Sequence, residues 1–210
     1  MAGIPTVLIV DDHPLFRDAL EVALTAAFPD GATAHHAGSL SDALARLDET
    51  RYDLILLDLT LADSQEFDGL TRLIGAGPGC PIVVVSATES AQAFETARAL
   101  GAAGYMPKSM SLEDLSAALA TALDGGQWFP PSDTGASPDR QELLARVAGL
   151  TPAQRKVIAG LADGLLNKQI AYEMDISVAT VKAHMTAIFR KLGANNRTQA
   201  LLIYKEATSL

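Results

Sequence analysis

The stretch VLIVDDHP, residues 7–14, decides the fold. Four branched apolar residues in a row read as a strand buried on both faces, and such strands belong to parallel sheets covered by helices. Asp11 and Asp12 then end the apolar run. Adjacent like charges oppose each other's ionisation, so a cation, a hydrogen-bond network or a wet loop must compensate them.

Working outward, DLILL (53–57) and PIVVVS (81–86) repeat the buried-strand pattern, while ATAHHA (32–37) and AAGYMP (102–107) are weaker strands. Helix-like segments lie between them at about 15–27, 40–49, 66–75, 90–100 and 111–123. The first carries the apolar stripe of Phe16, Leu20, Ala23, Leu24 and Ala27 expected of a helix with one buried face. Five strands alternating with five helices predict an α/β fold over residues 1–123, a doubly wound, five-stranded parallel sheet.

Residues 124–149 read as a linker, opening with the Gly-, Pro- and Ser-rich DGGQWFPPSDTGASPDR and holding a short helix at 138–148. Trp128 and Phe129 either anchor a partner or close the edge of the first domain. From 150 to 210 the pattern is only helical. Thr151, Pro152 and Gln154 open one helix that Gly164 ends, Asn167 caps a second, Ser177 caps a third that Gly193 stops, and a fourth runs from about Arg197. Helices this short need one another, so they predict a small all-α, four-helix domain.

Half the chain is apolar (49%) and a fifth charged (20%), which suits a folded protein with a sizeable core. No apolar run reaches membrane-spanning length and no secretion signal opens the chain, so the cytoplasm is the expected compartment. The single cysteine, Cys80, excludes an internal disulfide and reads as an inert half-buried thiol. The net charge of −9 is divided unevenly: residues 1–149 carry −13 and residues 150–210 carry +4. Such asymmetry fits two domains with different partners.

In an open parallel sheet the C-terminal ends of the strands gather in one ligand-binding crevice. Asp11 and Asp12 end the first strand, Asp58 the third and Ser86 the fourth, and Lys108 follows the fifth. Each alone reads as a cap or a surface charge; five converging groups read as a site. Three carboxylates form a hard oxygen site suited to Mg²⁺, and one could attack phosphorus while the ion and Lys108 neutralise charge. Glycine-rich phosphate loops are absent, a second catalytic acid does not follow Asp58, and His13, His35, His36 and His184 lack metal-ligand spacing.

The segments VLIVDDHPLFRDAL, YDLILLDLTLAD, VVVSA and GAAGYMPKS resemble the receiver domain of two-component response regulators, a flavodoxin-like fold. The resemblance implies Asp58 as phospho-acceptor and Asp11, Asp12, Asp58 and Thr60 at a Mg²⁺ site. It also implies Ser86 as switch hydroxyl, Lys108 as the paired lysine, and Tyr105 as an aromatic switch expected to move inward on phosphorylation. The implied donor is a phosphohistidine on a sensor histidine kinase or phosphotransfer protein. Two residues depart from the pattern: Ala62 stands where proline is frequent, and Glu66 where glycine is. Glutamate there is costly if the position requires a positive φ.

In SVATVKAHMTAIFRKLG, Val178, Val181, Met185, Ile188, Phe189 and Leu192 form a buried stripe. Lys182, Thr186 and Arg190 recur at steps of four on another face, which Ala179 and Ala183 keep slim enough for a major groove. Lys168, at the start of the preceding helix, is placed to meet phosphate. Spacing alone also permits a solvated basic face. Across LTPAQRKVIAGLADGLLNKQIAYEMDISVATVKAHMTAIFRKLGANNRTQA, however, the chain resembles the LuxR-type helix-turn-helix domain. That resemblance makes 178–192 the recognition helix and gives DNA-facing roles to Lys182, Ala183 and Thr186.

Together these readings predict a transcriptional regulator in which phosphorylation of Asp58 favours a homodimer and frees the DNA-facing helix to bind double-stranded DNA. Leu201, Leu202 and Tyr204 are candidates for the pairing surface or for the core. A regulator whose receiver is a phosphate-independent protein-interaction module, and a Mg²⁺-dependent small-molecule phosphatase, are the alternatives.

Overall fold

The computed structural model describes residues 4–131 and 138–209. Its first part alternates β1 (Thr6–Val10), α1 (Pro14–Ala27), β2 (Thr33–Ala37), α2 (Leu40–Glu49), β3 (Leu54–Leu57), α3 (Asp68–Ala76), β4 (Ile82–Ser86), α4 (Ala91–Leu100), β5 (Gly104–Pro107) and α5 (Leu112–Leu123). All neighbouring strands are parallel, in the order β2-β1-β3-β4-β5. The most apolar runs take the central places: β1, β3 and β4 each have neighbours on both sides, whereas the weaker β2 and β5 lie at the edges.

Alternate residues face opposite layers, as the pleat requires. Val7, Ile9, Leu54, Leu56, Val83 and Val85 pack toward α1 and α5 with Leu20, Leu24, Leu115 and Leu119. Leu8, Val10, Ile55, Leu57 and Val84 face the other side with Phe67, Leu70, Leu73, Phe94 and Ala97. Full burial of each aliphatic side chain contributes about 1.5–3 kcal/mol. Serine caps open three of the covering helices: Ser39, Ser90 and Ser111 accept from Asp42, Ala93 and Asp114 N–H.

The chain returns after α5 to strap β5. Tyr105 N–H donates to the Trp128 carbonyl at 2.8 Å, and a Cβ on Gly104 would sit 2.7 Å from that oxygen, so only glycine admits the strap. Trp128 packs into the α1/α5 layer and Arg98 lies 4.4 Å over the Phe129 ring. The edge-closing reading of these aromatics is the one observed.

The helices α6 (Pro138–Ala148), α7 (Pro152–Ala162), α8 (Asn167–Glu173), α9 (Val178–Leu192) and α10 (Arg197–Thr208) complete the fold. Thr151 and Gln154 form the expected reciprocal capping box, and Gly164 and Gly193 end α7 and α9 at positive φ. One cap differs from expectation. Leu166, not Asn167, occupies the N-cap of α8, and the Gln169 side chain accepts from Leu166 N–H at 2.8 Å. Asn167 begins the helix, with its Oδ1 buried and unpaired.

These helices are joined to the sheet layer through a common core that runs from Phe67 and Leu73 to Leu144, Val157 and Tyr204. The closest approach is α3 on α7. A Cβ on Gly75 would lie 3.2 Å from the Arg155 Cβ and 3.5 Å from the Pro152 carbonyl. Arg72 holds Asp68 on its own helix at 2.7 Å and also pairs with Asp163 at the end of α7. Arg140 of α6 donates to the Glu206 and Ser209 carbonyls at the end of α10 and to Thr96 of α4. Tyr204 is only 2% exposed in this shared core, so it belongs to the core rather than to a surface that pairs two copies. Leu202 remains 63% exposed.

Candidate functional site

The strand ends bring Asp11, Asp58, Ser86 and Lys108 together as the sequence predicts. Asp11 and Asp58 are almost completely buried, at 1% and 3% exposure. Lys108 Nζ answers for their charge: it lies 2.6 Å from Asp11 Oδ2 and 2.8 Å from Asp58 Oδ2. Its ammonium also sits 4.5 Å over the ring of Phe16, an aromatic face that favours a cation there. Burial alone would lower the Lys108 pKa, but its hydrogen bonds to Asp11 and Asp58 prevail and hold it above the ordinary value. Burial pushes the Asp58 carboxyl up, against the opposing hydrogen bond from Lys108.

The other groups complete a rim. Thr60 N–H donates to Asp58 Oδ1 at 3.2 Å, and Thr60 itself is exposed. Asp12 is half-buried, and its Oδ1 accepts no aligned hydrogen bond although His13 Nδ1 lies 2.7 Å away. Ligand atoms of Asp11, Asp12, His13 and Asp58 all fall within 4.8 Å of one another. His13 was missed by the sequence reading, which looked for spacing among histidines. Its signal is adjacency to the acidic pair: His13 N–H donates to Asp11 Oδ1 at 2.8 Å, which turns the ring back over the carboxylates.

Ser86 is fully buried and accepts from Thr88 N–H at 3.2 Å. Tyr105 is buried too, donating its hydroxyl to the Thr88 carbonyl at 2.7 Å and packing edge-on against Phe94. In this structure the Tyr105 ring is already inside, where burial raises its pKa to about 12. Ser86, Thr88, Tyr105 and α4 form one connected series. Cys80 is half-buried, and burial together with the nearby Asp53 charge pushes its thiol up to about 11, which disfavours the thiolate.

In the helical part, α9 buries Val181, Ile188 and Leu192 and half-buries Val178, Met185 and Phe189. Lys182, Ala183, Thr186 and Arg190 are exposed, and so is Lys168 on α8. Ser177 caps α9 through Thr180 N–H at 3.0 Å, and the Thr186 hydroxyl is turned back onto the Lys182 carbonyl at 3.1 Å. The sheet layer does not cover Lys182, Ala183, Thr186 or Arg190. The sheet layer instead grips α7 and the end of α10.

Residues 7–120 match the response regulator receiver domain family, and residues 148–204 match the bacterial regulatory proteins of the luxR family. The chain belongs to the response regulators. It is 37% identical over 209 residues to the glycerol metabolism activator of Pseudomonas putida, covering 93% of each chain. It is 31% identical over 200 residues to the nitrate/nitrite response regulator NarL of Escherichia coli K12, covering 93% of this chain and 92% of that one. Among solved structures, a LuxR family DNA-binding response regulator from Silicibacter pomeroyi superposes with a TM-score of 0.54 at 36% identity, over 62% of this chain and all of that one. A receiver joined to a LuxR-type domain makes this response regulator a phosphorylation-controlled transcriptional regulator rather than a conventional enzyme. Among the described residues, no helix is long and apolar enough to cross a membrane.

Proposed function

We propose that Asp58 accepts a phosphoryl group from a phosphohistidine on a sensor histidine kinase or phosphotransfer protein, and that residues 1–123 act as the receiver, 124–149 as the linker and 150–210 as the DNA-binding domain. The observation that carries this reading is Lys108 bridging Asp11 and Asp58 in a dehydrated pocket. A carboxylate oxygen of Asp58 forms the new bond to phosphorus as the donor's P–N bond breaks. Lys108 stays on the spot where negative charge accumulates. Ser86, whose carbonyl accepts from Lys108 N–H at 2.8 Å and whose Oγ accepts from Thr88 N–H, is placed to turn its hydroxyl toward a phosphoryl oxygen.

The acidic cluster suits Mg²⁺. Asp12 offers a buried Oδ1 whose one near partner is His13 Nδ1 at 2.7 Å, without an aligned hydrogen bond, and ligand atoms of Asp11 and Asp58 lie within 4.8 Å of it. When bound, the ion would supply positive charge to the phosphoryl oxygens. The chain's residues hold the acidic groups together and keep bulk water from them.

On the output side, Lys182, Ala183, Thr186 and Arg190 face the major groove, with Lys168 on the backbone. A single domain of this size neutralises few phosphates, so two copies on paired half-sites are needed for specific binding in the cytoplasm. The exposed Leu202 supports a pairing role for that face of α10, with Leu201 half-buried beside it.

A second reading has one observation in its favour. The strip of Lys182, Ala183, Thr186 and Arg190 is exposed beside the docked sheet layer, which favours DNA binding that is in part phosphate-independent, with the receiver serving as an interaction module. Intact mass after incubation with Mg²⁺ and a phosphoryl donor, on the parent and on Asp58→Ala, separates the two. A single phosphoryl gain lost in the variant supports the acceptor; a variant that binds DNA as tightly as phosphorylated parent supports the second reading.

A further inference from the structure

The loop from Asp58 to α3 holds an unusual backbone and an unusual anchor. Glu66 has φ of +48°, a left-handed conformation that strains any residue other than glycine or a small polar one. Something must hold such a loop in place. Asp63 reaches out of it to α2, where Oδ1 accepts from Leu40 N–H at 2.8 Å and Oδ2 from Ser41 N–H at 2.9 Å. These are the first two amides of α2, which have no partner within the helix. Ser39 takes the third, Asp42 N–H, at 3.1 Å. Burial would raise the Asp63 pKa, but the bonds from Ser41 and Leu40 outweigh it and lower it.

The anchor lies close to the acceptor. Ser64 N–H donates to the Leu61 carbonyl at 3.2 Å, closing a turn that has Ala62 and Asp63 at its tip. Thr60, directly before that turn, is the residue whose N–H reaches Asp58 Oδ1. A carboxylate clamped at the tip therefore ties the turn to α2 and fixes the amide that orients the acceptor oxygen. We infer that Asp63 is a positioning residue for phosphoryl acceptance: its carboxylate, seated on the N-terminal amides of α2, holds the acceptor loop and so presents Asp58 and its neighbouring acids in register. This rests on Asp58 being the acceptor. Capping of α2 alone is the competing role, and Ser39 already fills part of it.

The test uses full-length protein and three variants: Asp63→Ala, Asp63→Asn, and Asp63→Ala combined with Glu66→Gly. Mg²⁺ affinity is measured by calorimetry, phosphorylation rate with acetyl phosphate by intact mass, and thermal stability alongside. Asp63→Ala is expected to weaken Mg²⁺ binding and slow phosphorylation by about fivefold or more, in line with what misplacement near a reacting group costs. Asp63→Asn, which retains one acceptor oxygen, should fall between. Relief of the Glu66 strain should make the loss of Asp63 cost less. If Asp63→Ala lowers thermal stability but leaves both Mg²⁺ affinity and rate within about twofold, Asp63 is only a helix cap and the inference is overturned. A parent that binds Mg²⁺ without taking a phosphoryl group defeats the acceptor reading, yet the Mg²⁺ comparison still decides Asp63 either way. A parent that does neither overturns both.

Discussion

The pocket of Asp11, Asp58 and Lys108 and the exposed face of α9 handle charge in opposite ways. In the pocket, two buried carboxylates share one lysine, and each of these charges has a named partner within 2.8 Å. On α9, Lys182 and Arg190 stand in solvent at either end of a strip kept low by Ala183. The difference follows from what each must do. Phosphoryl transfer gains from dipoles and charges fixed beforehand in a dry site, whereas DNA binding draws much of its strength from counterions released when hydrated cations meet phosphate. One region is built before its ligand arrives; the other is completed by it.

The sharpest way to break this contrast is to remove the shared cation. Lys108→Ala leaves Asp11 and Asp58 facing each other with nothing between them, and phosphorylation should slow by about a hundredfold or more, read as the rate of phosphoryl mass gain. A smaller effect is expected where the two regions are mechanically joined. Gly75→Leu forces α3 away from Arg155 and Pro152, and overpacking of this kind costs about 1–3 kcal/mol. Small-angle scattering should then show a larger protein with the phosphorylation rate retained. Should its dimensions stay unchanged, the Gly75 contact is not what holds α7 to α3.

Smaller again is the loss of one solvated cation. Lys182→Ala should weaken DNA binding and reduce the slope of log affinity against log salt by about 1 if the lysine meets phosphate. An unchanged slope with altered base preference would instead place it on a base edge. The smallest expected effect concerns stability. Burial raises the Asp58 pKa, so its favourable, protonated contribution is complete below the ordinary carboxylate value and is lost as pH rises through the folded-state value. Asp58→Asn should therefore melt higher than the parent at neutral pH, with the gap closing in acid. A lower melting temperature at neutral pH would mean that Lys108 needs both carboxylates more than Asp58 suffers from burial.

Sequence reading was strongest where a residue's role depends on position along one element. Asp11, Asp58 and Ser86 each end a buried strand, and a parallel sheet leaves strand ends only one edge on which to meet. The exposed strip of α9 was likewise legible, because helical periodicity separates it from Val181, Ile188 and Leu192. Asp63 and Tyr204 were not legible in the same way. Asp63 acts on amides 22 and 23 residues away, which depends on the path of an irregular loop. Tyr204 sits on a helix whose apolar side fits a second copy or the receiver equally well, and only the packing of α3 against α7 and α10 decides between them. Glu66 was half legible: the sequence showed a residue ill suited to positive φ, and the structure supplies the angle of +48°.

Arg72 carries a consequence for how readily the two parts separate. It is bonded at once to Asp68 on its own helix and to Asp163 across the boundary. Parting α3 from α7 costs it one acid and leaves the other, so no guanidinium is stranded. The charge pair therefore adds little to the cost of separation, which rests on the shared core. A phosphoryl group adds only one to three charge-assisted hydrogen bonds, and couplings between sites typically amount to about 1–3 kcal/mol. Every 1.4 kcal/mol or so shifts an equilibrium about tenfold, so a coupling of that size can re-partner Arg72 but falls short of the burial that keeps Leu144, Val157 and Tyr204 in the shared core.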